Sequence, residues 1–174
     1  MSIDSEELSF ILDGNLPNHY KFEVRSASTH TKGFVWKPTV MEKIHVVAFV
    51  LDGSTLNLLS KKVLTNLLEM KSLVVDREIP HVVILTNIDK ICCLEDDNVQ
   101  KAFTNGLVET AVNNTARVIG LPRSHILPVK NYEKEIRLKT NINILALTTL
   151  RRLLMFADDF LENQYDQEQE NAQI

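Results

Sequence analysis

Thr86, Asn87, Ile88 and Asp89 close the apolar run HVVILT (81–86) and open a loop. A carboxylate standing just beyond the C-terminal end of a parallel strand can accept two hydrogen bonds, from the N1 and N2 positions of guanine, where adenine presents a different pattern. Thr86 to Asp89 is therefore a candidate base-reading site. The plainer reading of the same residues is a strand-ending turn in which Asn and Asp satisfy local backbone groups. The chemistry that would grip a triphosphate has no carrier in this sequence. None of the five glycines falls in a G-x-x-x-x-G-K-[ST] pattern, and no Gly-rich strand-to-helix turn is present to cradle a phosphate.

Other reactive residues read more plainly. Asp13-Gly14 and Asp52-Gly53 are turn dipeptides. Cys92 and Cys93 are adjacent, so they bridge only with strain, and Lys90 is their one basic neighbour; an ordinary reduced pair is expected. His45, His81 and His125 each stand at the start of a predicted strand. Strands paired in sequence order would make them neighbours, and a three-histidine metal site is conceivable there. That site would lie at the end opposite the ligand rim, and polar strand starts explain the histidines better. Asn113-Asn114-Thr115 fits a glycosylation sequon but lies in a predicted helix. No Ser/His/Asp or Cys/His arrangement and no carboxylate pair emerges for acid–base work. Arg151 and Arg152 read as a solvated helix face.

The elements that position the loop follow from periodicity. Ser5 to Leu12 reads as a short amphipathic helix, and Gly14, Pro17 and Pro38 bracket an irregular stretch over about 13–42. IHVVAFVL (44–51) is a continuous apolar run, as expected of a strand buried on both faces. Helical spacing follows through Leu56, Leu59, Val63, Leu67, Met70 and Val74, then the second strand, HVVILT. A polar loop, about 87–97, holds the cysteines and the acidic cluster Glu95, Asp96 and Asp97. A helix is predicted over Val99 to Ile119 through Phe103, Leu107, Ala111 and Val118, stopped by Gly120 and Pro122. HILPV (125–129) is a third strand. Asn141 or Asn143 caps a last helix to about Asn163, with Leu147, Leu150, Leu154, Ala157 and Leu161 on one stripe. Residues 164–174, QYDQEQENAQI, are polar enough to predict a disordered tail. This alternation implies right-handed crossovers and an α/β fold with a three-layer parallel sheet. Ligands in such sheets bind outside the carboxyl ends of the strands, where the loops Asp52 to Thr55, Thr86 to Asp89 and Lys130 to Glu133 would lie.

Bulk properties bound the function. The 174 residues are 44% apolar and 24% charged, the profile of one soluble globular domain. A net charge of −4 and a pI near 5.7 argue against nucleic-acid and anionic-membrane binding. No apolar run is long enough to span a bilayer, and MSIDSEELSF is acidic where a signal peptide is basic, so the cytoplasm is expected.

The blocks ILDGNLPNHYKF, KIHVVAFVLDGS, HVVILTNID, VKNY and LRRLLMFADDFLE resemble the C-terminal part of the interferon-induced protein 44 and 44-like family, over residues 7–163 and with similar spacing between blocks. That family is linked to antiviral immune responses and is similar to P-loop GTPases. The resemblance implies that 1–163 is a partial GTPase-like α/β domain, with 1–43 a lead-in and 44–163 a βαβαβα core. The phosphate loop and the Asp-x-x-Gly metal-sensing motif lie upstream in the family. Thr86 then resembles the first position of the Asn/Thr-Lys-x-Asp base motif and Asp89 its guanine-binding carboxylate. Asn87 departs from the usual lysine, whose stem covers the purine ring. Lys130 and Asn131 fall where GTPases place a backbone N–H against the guanine O6. These five residues constitute a degenerate nucleotide site, without a catalytic residue or metal ligand. An intact family member would take GTP and Mg²⁺; no cofactor is expected in this chain. The implied function is an interferon-induced, non-enzymatic immune protein acting through protein contacts. The alternative is the C-terminal fragment of a GTP-binding or GTP-hydrolysing protein. A phosphate-loop strand would flank IHVVAFVL in a complete sheet; without it, the exposed edge of strand 44–51 is expected to take a protein partner or a second copy.

Overall fold

The computed structural model describes residues 4–22, 27–91, 105–133 and 135–172. Element order is α1 (Ser5–Leu12), β1 (Val47–Asp52), α2 (Lys61–Val75), β2 (His81–Thr86), α3 (Ile88–Ile91), α4 (Gly106–Ile119), β3 (Ile126–Pro128) and α5 (Thr140–Ala172). The chain divides into two compact units. One comprises Met1–Val47, Lys62–Pro80 and Phe156–Ile174; the other comprises Ala48–Lys61 and His81–Met155.

The first unit is held by polar ties along an irregular lead-in. Glu7 is buried on α1, where its carboxylate accepts a 2.7 Å hydrogen bond from the Tyr20 hydroxyl. Asp13, beyond the helix end, takes both 2.7 Å bonds of a bidentate pair from the Arg77 Nε and Nη2. Asn15 exchanges bonds with Val35, its amide and carbonyl both engaged, which fixes the entry to the edge-to-face rings Phe10, Phe34 and Trp36. Gly14 has φ +76°, and a Cβ there would stand 2.5 Å from the Glu42 carbonyl oxygen. Gly14→Ala is therefore expected to cost about 1–3 kcal/mol in urea unfolding, through backbone strain and a clash with main chain. A change below about 0.5 kcal/mol would show that the turn relaxes freely.

The second unit contains the sheet. Its strand order is β1-β2-β3, and β2 and β3 run parallel in the register Val83↔Ile126, Ile84↔Leu127 and Leu85↔Pro128. Central β2 is buried on both faces, with Val82, Val83 and Leu85 at 0% exposure. The edge strand β1 differs from its sequence expectation. Val47, Phe49 and Leu51 are half-buried, but Ala48 and Val50 are exposed. A fully apolar run is thus half-buried on one face and exposed on the other over Val47 to Val50.

Two helices sit in a different phase from the one their spacing predicts. On α4 the buried stripe is Val108, Val112, Thr115 and Ile119, whereas Leu107 and Val118 are exposed. Adjacent apolar residues leave the phase open, and packing against β3 and α3 selects the stripe one position on. Thr115 is tolerated there because its hydroxyl donates to the Ala111 carbonyl at 2.8 Å. The helix is bounded by Asn105, whose side chain accepts from the Leu107 N–H, and by Gly120 at φ +69°. On α5 the buried residues are Ile142, Leu145 and Thr149; Leu147, Leu150 and Leu154 face outward. The helix continues to Ala172, through most of the segment expected to be disordered. Gln, Glu and Asn dominate that segment, with no Gly or Pro to stop a helix already nucleated upstream.

Candidate functional site

Thr86 ends β2 with both polar groups spent on the neighbouring strand. Its carbonyl accepts from the Gly53 N–H at 2.9 Å, and its hydroxyl donates to the Leu51 carbonyl at 3.1 Å. Asn87 follows at φ +55°, in the left-handed region that Asn tolerates better than most residues. Its side-chain amide donates to Oδ2 of Asp52 at 2.9 Å. The other oxygen of Asp52 accepts from the Ser54 N–H at 2.9 Å and from its hydroxyl at 2.6 Å. The Ser54 hydroxyl bond, helped by the Asn87 amide and the charge of Lys90, holds the Asp52 carboxyl below its ordinary pKa despite desolvation.

Ile88 is fully buried and pins the four-residue helix α3. Asp89 is consequently half-buried in its first turn, with no hydrogen-bond or ion-pair partner among the described residues. Lys90 faces Glu133, Nζ to Oε1 3.7 Å. Beyond β3, the Val129 N–H donates to the Leu85 carbonyl at 2.8 Å. Lys130 then pairs with Glu135 at 2.9 Å, with only 12% and 8% of the two side chains exposed. Asn131 is exposed.

The three loops at the carboxyl ends of the strands therefore meet. Asp52 is tied to Asn87, and Lys90 reaches Glu133. Gly53 allows the first approach: a Cβ there would lie 3.0 Å from the Thr86 carbonyl oxygen and 2.8 Å from the end of the Ile91 side chain. Thr86, Asn87 and Asp89 share this rim, while Lys130 is held by Glu135. Sequence reasoning places Asp52 and Glu133 in rim loops, Asp52 as a turn residue, but names neither them nor Glu135 as site residues. Position supplied one signal for Asp52, which stands at the end of one strand as Thr86 does at the end of the next.

No group of three or more His, Cys, Asp or Glu among the described residues could hold a metal ion. His45 bonds the Val40 carbonyl at 2.7 Å. His81 meets Phe49 edge to face. Burial, then the nearby charges of His81 and Arg152, push the pKa of His125 down. Cys92, Cys93, Glu95, Asp96 and Asp97 lie outside the described residues.

Comparison with known proteins finds homologues along nearly the whole chain. Human interferon-induced protein 44-like is 32% identical over 159 residues, 91% of this chain and 35% of its own length. By sequence the chain is a homologue of the interferon-induced 44 and 44-like proteins. Chimpanzee interferon-induced protein 44 is 29% identical over the same share of the chain and 36% of its own length; the mouse protein is 24% identical over 92% and 38%. The chain thus spans little more than a third of the length of the interferon-induced relatives it matches. No family model and no solved structure matches it. No described helix is long and apolar enough to cross a membrane.

Proposed function

We propose that this interferon-induced 44 homologue is a cytoplasmic, non-catalytic immune-response protein that works through protein contacts, on a partial GTPase-like domain whose base-reading loop has become a structural latch. The observation that carries this reading is the hydrogen bond between Asn87 and Asp52. It spends on the fold the side chain that stands where a base motif places its ring-covering lysine. The Thr86 hydroxyl is spent on Leu51 and the Lys130 ammonium on Glu135 in the same way. The base-motif side chains present do not fit a guanine nucleotide: of Thr86, Asn87 and Asp89, only the Asp89 carboxylate has no partner among the described residues.

Affinity arithmetic agrees. Much of the binding energy of such nucleotides comes from phosphate, Mg²⁺ and backbone N–H contacts. One carboxylate–base pair contributes about 1.5–3 kcal/mol, against an association cost of about 4 kcal/mol or more. A fluorescent GTP analogue with Mg²⁺ is therefore expected to bind with millimolar affinity or worse, with no change on Asp89→Ala. Micromolar, guanine-selective binding abolished by Asp89→Ala would overturn the reading. It would favour instead a piece of a GTP-binding protein, the role for which Asp89, without a partner among the described residues, is the supporting observation.

The contact surface in this proposal is the outer edge of β1. It presents Ala48 and Val50 beside unpaired backbone groups, an arrangement suited to an added strand from a partner protein or a second copy.

A further inference from the structure

A second surface lies at the other side of the sheet. A cleft of about 280 Å³ opens between β3 and the first half of α5, lined by Leu127, Pro128, Leu145, Thr148, Thr149 and Arg152, with almost wholly apolar walls. Leu145 and Thr149 are buried and form its floor; Thr148 and Arg152 are exposed and form its rim. The volume is below the range of about 300–1,000 Å³ common for small-molecule sites, and it matches a single large side chain better than a nucleotide.

The helix extends the cleft along its length. Ile144, Thr148, Arg152 and Met155 follow at i, i+4, i+8 and i+11, which places them along one line of α5. Ile144 and Met155, at the two ends of that line, are 49% and 47% exposed. Aliphatic surface therefore continues on both sides of the cavity, as a bound chain segment would need. Arg152 supplies a positive charge at this rim, in a chain whose net charge is −4. Arg152 stands near His125, which also faces His81. A guanidinium is the side chain best shaped to hold a carboxylate by two parallel hydrogen bonds.

We propose that the cleft between β3 and α5 docks a peptide segment of a partner protein, presenting one large apolar side chain beside a carboxylate. The apolar group enters the cavity and the carboxylate meets Arg152. This surface is independent of the β1 edge, and its failure would leave the reading of that edge intact.

The test is a proton–nitrogen NMR titration of the full chain with the tetrapeptide acetyl-Gly-Phe-Asp-Gly-amide at millimolar concentration. Shifts are expected at the amides of Leu127, Leu145 and Thr149 and at the Arg152 Nε–H. Peptides carrying Ala for Phe, or Asn for Asp, are expected to bind about tenfold more weakly. Arg152→Gln should erase the preference for Asp over Asn. Thr148→Trp, at an exposed position, should fill the cleft and abolish the shifts while the rest of the spectrum is kept. Absence of shifts at these residues would overturn the proposal. So would equal binding of the Asp and Asn peptides, an unaltered titration in Thr148→Trp, or tighter binding of octanoate than of the peptide.

Discussion

Replacing Leu85 with alanine is expected to lower the unfolding free energy by about 2–5 kcal/mol and the Tm by roughly 10 °C. Leu85 has no exposed surface and lies on the central strand. Its carbonyl holds Val129, and its Cγ lies 3.2 Å from the position a Cβ would take at Gly53. Truncation therefore leaves a void between neighbours that ladder hydrogen bonds keep from collapsing. The matching control is Leu147→Ala, the same chemical change at a site 63% exposed, for which a change within about 0.5 kcal/mol is expected. Urea unfolding of the two variants side by side checks both claims. Comparable losses would mean that the phase assigned to α5 is wrong.

That control touches the boundary of what the sequence could say. β2 was legible to the residue, because a continuous apolar, β-branched run between Pro80 and a polar loop has few other solutions. α1 was equally legible, its ends set by an acidic start and the Asp13-Gly14 turn. The phases of α4 and α5 were not, since each carries two apolar stripes and only the packed neighbours choose between them. β1 begins three residues later than its apolar run because Ile44 spends its N–H on the Leu12 carbonyl instead of on the ladder. At the candidate site, spacing identified the rim and the loops that form it. It did not reveal the pairing of Asp52 with Asn87, which joins residues 35 apart in the chain and depends on the positive φ of Asn87. Nor did it reveal that Glu133 and Glu135, in and beside the loop after β3, each take a lysine.

The second large effect concerns association. Val50→Lys is expected to weaken assembly through the β1 edge by about 100-fold, since strand addition would bury an ammonium without a partner. Val50 is 64% exposed, so the fold itself should be left nearly as stable. Sedimentation analysis of wild type and variant over a concentration series reads the self-association directly, and co-purification from cell extract reads a foreign partner. The reading fails if the wild-type chain is a monodisperse monomer with slow amide exchange along residues 44–51.

The opposite border of the sheet behaves differently. β3 is three residues long and ends at Pro128. Val129 directs its N–H towards β2, so by alternation the imino nitrogen of Pro128 is turned outward, where it has no hydrogen to offer. Open-ended polymerisation by strand addition requires two receptive borders, and here one is a three-residue strand with no donor at Pro128. Were a strand to add at β1 as proposed, the expected product would be a discrete pair and not a fibre.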